Sequence, residues 1–124
     1  QVNPCIFLHF LGAIAGDGTG ALPYVISEVK ADGEVMYSAK TQPGQQLMSQ
    51  SLAKLLQEYM RNNVALKYGD DHFPGLNVCA KTGTGEVGGE QKPNAMLAGF
   101  VEDDRYGRAG RQNAHRHACW LCGG

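Results

Sequence analysis

Leu76-Asn77-Val78-Cys79-Ala80-Lys81-Thr82-Gly83-Thr84-Gly85, continued through Glu86 to Asn94 into Ala95-Met96-Leu97-Ala98-Gly99-Phe100-Val101, decides the fold. Leu76 to Ala80 alternates toward the lysine as a strand does, and Met96 to Val101 is a second apolar run bounded by turn-forming residues. The glycine-rich stretch from Gly83 to Pro93 separates them, so the pair reads as an antiparallel hairpin with a long connection, ended by Glu102-Asp103-Asp104. A two-stranded hairpin is marginal in water unless a helix covers it.

The chain offers two helices as cover. Asn3-Pro4 reads as an N-cap followed by proline at the first helical position, and Ile6, Phe7, Leu8, Phe10, Leu11 and Ile14 leave almost no polar face before Gly16 and the Asp17-Gly18 turn. This predicts a buried helix. Between Ser49 and Tyr68, Leu52, Leu55, Leu56, Tyr59, Met60 and Val64 recur at three and four, which predicts a helix with that stripe on the core and Lys54, Glu58 and Arg61 outside. Between the helices, Tyr24-Val25-Ile26-Ser27 and Val35-Met36-Tyr37 suggest a short hairpin turning around Lys30 to Gly33. Helices on an antiparallel sheet make the class α+β. After Tyr106, Gly107 to Gly124 shows no period of two or 3.6, so 107–124 reads as an irregular tail.

A chain of 124 residues with 43% hydrophobic and 19% charged residues is globular in composition, and a formal net charge of -1 supplies no basic excess for nucleic acid or an anionic membrane. The apolar stretch Cys5 to Ala15 is about half of the ~20 residues a membrane helix needs. With Gln1 at the start, no basic leader and no cleavage site after Ala15, the sequence reads as beginning inside a larger protein. The four cysteines, Cys5, Cys79, Cys119 and Cys122, do not form a disulfide framework; a Cys5 to Cys79 bridge is the alternative to buried free thiols, which are preferred.

The strongest chemical signal is Lys81-Thr82-Gly83-Thr84. A lysine on an exposed strand supplies fixed positive charge, the two hydroxyls can hydrogen-bond a carboxylate, and Gly83 lets another backbone approach. Such an edge can take an extended peptide as an added strand.

Around these residues, Lys81 to Val87, Lys92-Pro93-Asn94-Ala95 and Gly99-Phe100-Val101 resemble the third and fourth sheet strands of penicillin-binding protein transpeptidase domains. Val2-Asn3-Pro4, Ala13-Ile14-Ala15 through Gly18, and Pro23-Tyr24-Val25 resemble the helix and turn that precede them. The likeness covers residues 1–106 and implies a C-terminal fragment of the serine transpeptidase, or β-lactamase-like, fold. It further implies that Lys81 sets the electrostatics of a cleft, that Thr82 and Thr84 bind the terminal carboxylate of a D-Ala-D-Ala stem peptide or of a β-lactam, and that the Thr84 N–H is one oxyanion-hole donor. Lys81, Thr82, Gly83 and Thr84 are thus the expected catalytic residues, with Lys81, Thr82 and Thr84 holding substrate. The family uses no metal or organic cofactor, and its substrate implies the extracytoplasmic face of the bacterial cell membrane, on an anchor outside this sequence. Of the family's three motifs, S-x-x-K, S-x-N and K-T-G, only the third is expected here. The fragment is therefore expected to be inactive alone.

Competing patterns are weaker. Ser51-Leu52-Ala53-Lys54 spells S-x-x-K, but Lys54 lies about 200° around the helix from Leu52, facing solvent, where nothing would tune its amine. Gly83 to Gly88 spells G-x-G-x-x-G and Gly75 to Thr82 nearly spells a phosphate loop, yet neither opens into a helix as phosphate binding requires. His115, His117, Cys119 and Cys122 are zinc-ligand types in a cramped arrangement, and an out-of-frame, disordered or otherwise unrelated tail is preferred to a zinc module. A non-catalytic sensor of peptidoglycan or β-lactams is the remaining alternative.

Overall fold

The computed structural model describes residues 3–85, 94–102 and 119–123. Helix α1 spans Pro4–Ala15; the Asn3 side chain accepts from the Cys5 N–H, and proline follows the cap where no intrahelical donor is needed. Helix α2 spans Gln50–Asn63, capped by Ser49 accepting from the Leu52 N–H, and runs on into a π-helical turn, Val64–Tyr68. Gln57 ties the helices together, its amide donating to the carbonyls of Ile14, Ala15 and Gly16 at the open end of α1.

Three small sheets accompany them. Strands β1 (Thr19–Ala21) and β4 (Pro43–Gln46) pair, as do β2 (Glu28–Ala31) and β3 (Glu34–Ser38). Strands β5 (Val78–Gly85), β6 (Asn94–Val101) and β7 (Cys119–Gly123) form a three-stranded antiparallel sheet in the order β5-β6-β7. His9 fastens α1 to β1: its Nδ1 lies 2.9 Å from the Ala21 carbonyl, which can only accept, so Nδ1 carries the proton.

Two apolar clusters hold the sheet. Leu11, Ile14, Ala15 and Met60 of the helices pack with Cys79, Ala98 and Phe100. Val64, Val78, Ala80 and Val101 form the second, with Tyr68, Phe73, Leu76 and Leu97 against it. Successive strand residues point to opposite faces, so Cys79 and Ala80 belong to different clusters. The segment from Met60 to Tyr68 contributes to both and runs beside the outer edge of β5. Among the described residues no helix is long and apolar enough to cross a membrane.

Five expectations need correction. The hairpin is displaced: Asp32 and Gly33 both have positive φ, the signature of a two-residue type I′ turn, which pairs Ala31 with Glu34 and leaves Tyr24 to Ser27 ahead of the strands. The buried stripe of α2 is rotated: Ala53, Met60 and Val64 face inward, while Leu52, Leu55 and Tyr59 are 45%, 42% and 57% exposed. Ala53 lets the helix approach its neighbours closely, and the larger side chains turn outward. Helix α1 fully buries residues only in its second half; Phe7 and Leu8 are partly buried against the core, and Ile6 and Phe10 are exposed. Cys5 is a free, exposed thiol rather than a buried one, whereas Cys79 is free and buried. Finally, Cys119–Gly123 is a strand, not irregular tail: β6 has a second edge of unpaired N–H and C=O groups, and this segment satisfies it, Cys119 opposite Phe100 and Cys122 opposite Leu97. The rest of 107–124 lies outside the described residues, as do residues 86–93.

Candidate functional site

Lys81, Thr82, Gly83 and Thr84 lie together in the outer half of β5, all exposed, where the strand projects beyond its buried part, Val78 to Ala80. Sheet order makes β5 an edge strand. The register pairs Lys81 with Ala98, Thr82 with Leu97, Gly83 with Met96 and Thr84 with Ala95. The Asn77 carbonyl accepts from the Glu102 N–H, on the β6 side. Backbone groups alternate along a strand, so those of Val78, Ala80, Thr82 and Thr84 point outward.

Three side chains from the end of α2 and the π turn meet that outer edge in order. Arg61 donates through Nη1 to the Val78 carbonyl at 3.0 Å, while its Nη2 is held by the Asp70 carboxylate. Asn63 donates to the Ala80 carbonyl at 3.4 Å. The Tyr68 hydroxyl accepts from the Thr82 N–H at 3.1 Å and lies 3.0 Å from Thr82 Oγ1. Lys81 Nζ donates to the Thr82 carbonyl at 2.6 Å. Coverage stops there: no side chain among the described residues takes the outward groups of Thr84.

Gly83 is equally telling. Its φ is not in the left-handed region, and a Cβ built on it meets no described residue within 4 Å. Nothing among the described residues therefore demands glycine at position 83.

Electrostatics follow from the same contacts. The side-chain and backbone hydrogen bonds with Thr82 hold the Tyr68 phenol below its ordinary value, burial opposing and Lys81 and Lys67 adding to the effect. The hydrogen bond to Asp70 raises Arg61 above its ordinary value, partly against desolvation. Burial, reinforced by Glu102 and partly offset by Arg61, pushes the Cys79 thiol up to about 12, so it stays protonated and inert.

The sequence profile described as the penicillin binding protein transpeptidase domain matches residues 1–107. The chain belongs to that family. The same fold is found in penicillin-binding protein A of Mycobacterium tuberculosis in its imipenem acyl-enzyme complex, with TM-score 0.69 and 24% identity over 81% of this chain and 23% of that one. The crystal structure of PBPA from Mycobacterium tuberculosis gives TM-score 0.66 and 23% identity, covering 76% of this chain and 23% of that chain. The D,D-transpeptidase domain of a peptidoglycan glycosyltransferase from Eggerthella lenta gives 0.64 and 29%, covering 76% and 22%. This chain thus spans less than a quarter of each solved relative. No curated protein matches it significantly.

Within the transpeptidase fold the rival motifs separate from β5. Ser51 and Lys54 are both exposed on the first turns of α2, and Ser51 Oγ pairs with Ser49 Oγ at 3.1 Å. No helix follows Thr82, since Val78–Gly85 is one strand, and Gly88 lies outside the described residues. So do His115 and His117, while Cys119 and Cys122 fall within β7. Among the described residues no three metal-ligating side chains converge. Arg61, Asn63 and Tyr68 were not signalled as edge partners by sequence. Arg61 is assigned there to solvent, and in the structure it is half-buried against β5.

Proposed function

We propose that this chain contributes the carboxylate-binding and carbonyl-polarising edge of a peptidoglycan D,D-transpeptidase that acts on D-Ala-D-Ala stem peptides and is trapped by β-lactams. The observation carrying this reading is the outer edge of β5: side chains take one outward backbone group each of Val78, Ala80 and Thr82, and among the described residues none takes those of Thr84, beside a glycine whose Cβ would meet no described residue. An incoming peptide can lie along Gly83, take hydrogen bonds from the Thr84 edge and set its terminal carboxylate against the Thr82 and Thr84 hydroxyls near Lys81. The Thr84 N–H is then one donor to the carbonyl oxygen on which negative charge develops.

Acyl transfer also needs a nucleophile within hydrogen-bond reach of its base. Ser49 and Ser51 bond to each other at the start of α2, and Ser27 and Ser38 flank the β2–β3 hairpin, so the nucleophile comes from another part of the parent transpeptidase. That parent works at the extracytoplasmic face of the bacterial membrane, where its substrate is, with no metal or organic cofactor in the reaction.

Amide-resolved NMR of the isotopically labelled chain, titrated with N-acetyl-D-Ala-D-Ala, tests the reading. Saturable shifts centred on Thr82, Gly83 and Thr84 are expected. Shifts that fall elsewhere, or none at millimolar peptide, refute it.

A further inference from the structure

The edge of β5 changes character at one residue, and Tyr68 stands at the change. Its hydroxyl accepts the Thr82 N–H at 3.1 Å, which places that hydrogen on one lone pair of the phenol oxygen. Thr82 Oγ1 lies 3.0 Å from the same phenol oxygen, a pair in which either hydroxyl can be the donor. A threonine hydroxyl that accepts from tyrosine still has one hydrogen to give. The Thr82 carbonyl accepts from Lys81 Nζ at 2.6 Å. Both outward groups of Thr82 thus already have a side-chain partner, whereas none among the described residues takes those of Thr84.

We infer that Tyr68 is a positioning residue for an anionic ligand: it closes the β5 edge at Thr82, so that strand addition begins at Thr84, and it orients the Thr82 hydroxyl to donate to the ligand's terminal carboxylate. The inference rests on the peptide-binding reading above and adds to it a residue 14 positions upstream of Thr82. Tyr68 is held for this task by its location, at the end of the π turn and packed against the Val64, Val78 and Ala80 cluster. A phenylalanine there keeps the packing and removes only the hydroxyl.

The test compares N-acetyl-D-Ala-D-Ala with its C-terminal carboxamide on the wild-type chain and on Tyr68→Phe, by NMR titration, with hydrogen exchange of the Thr82 amide measured in parallel. A single oriented hydrogen bond to a carboxylate corresponds to about 5- to 10-fold in affinity. Tyr68→Phe is expected to weaken the carboxylate ligand by about that factor, to change the carboxamide by less than about 2-fold, and to speed Thr82 amide exchange. Thr82→Val, which keeps the N–H but not the hydroxyl, is expected to erase the same carboxylate preference. Equal weakening of both ligands by Tyr68→Phe overturns the positioning role and leaves the peptide-binding reading intact, since that is what a structural prop would give. Unchanged affinity for both does the same. Failure of the wild-type chain to bind either ligand overturns the reading itself, and the positioning role with it.

Discussion

Two glycines of one sheet should respond oppositely to the same methyl group. At Gly99 on β6, a built Cβ lies 2.5 Å from the Cys79 carbonyl oxygen, 3.0 Å from Ala80 Cβ and 3.2 Å from Ala80 Cα. Cys79 and Ala80 are fully buried and locked in the β5–β6 ladder, so neither can step aside without breaking register. Gly99→Ala should cost about 1–3 kcal/mol by overpacking. At Gly83, where no described residue lies within 4 Å of a built Cβ, Gly83→Ala meets no clash among them and restricts the unfolded chain, for a gain of about 0.4–1 kcal/mol. The two variants should therefore differ by roughly 1.5–4 kcal/mol. Urea unfolding followed by circular dichroism reads this directly, as midpoints displaced in opposite directions at a common slope. If Gly83 serves an approaching peptide, the stabilised Gly83→Ala variant should also lose affinity for N-acetyl-D-Ala-D-Ala. A Gly83→Ala chain that is less stable than wild type, or a Gly99→Ala chain that is unaffected, would refute the packing argument. A stabilised Gly83→Ala chain with undiminished affinity would instead remove the reason for glycine at the edge.

Thiol labelling at neutral pH should modify Cys5 rapidly and leave the peptide containing Cys79 unmodified until denaturant is added, because Cys79 is buried and its thiol is pushed up to about 12; fast native-state labelling at Cys79, seen by peptide mass mapping, would contradict its packing. The lowered Tyr68 value means that the unfolded chain binds a proton more tightly there, so the stability advantage of wild type over Tyr68→Phe should grow as pH rises between the folded value and the ~10 of a free phenol. The groups acting on Tyr68 are Thr82, Lys81 and Lys67; an advantage that shrinks with rising pH would reverse the sign argued here. Fluorescent penicillin should leave no label that survives denaturation on wild type or on Ser51→Ala, given that Ser51 and Lys54 are both exposed and Ser51 Oγ pairs with Ser49 Oγ; a label lost in Ser51→Ala would make that pair an active site.

The parts of the fold legible in sequence are those whose signal is local. Alternation from Leu76 and again from Met96 announces β5 and β6, and Asn3-Pro4 and Ser49 announce helix starts through caps that the structure contains. What sequence misassigned depends on partners. Three large residues, Leu52, Leu55 and Tyr59, outweigh one alanine in any reading of periodicity, yet close approach favours the alanine and puts Ala53 inside. The segment Cys119–Gly123 carries no pattern of its own, and it is the open edge of β6 that makes it a strand. Tyr68 could not be read as an edge residue because its partner lies 14 residues on and its placement depends on the π turn that follows Asn63. Lys81 to Thr84 is legible as four residues of one strand, but the point at which side chains stop meeting the outer edge of that strand is not.

That boundary bears on why an open edge is tolerated at all. An edge strand with free N–H and C=O groups invites pairing with other chains, so folds usually cover such groups. Here Arg61, Asn63 and Tyr68 each take one outer group, the Val78 carbonyl, the Ala80 carbonyl and the Thr82 N–H in succession, with a side chain rather than a neighbouring strand. Side chains can satisfy single groups one by one, and so they can stop at a chosen residue, which a sixth-residue extension of a neighbouring strand could not do without burying the motif. Among the described residues the stop falls between Thr82 and Thr84, with a glycine between them whose Cβ would meet no described residue. Closure for solubility alone gives no reason for a stop at that residue, whereas the proposed docking of one extended ligand in one register does.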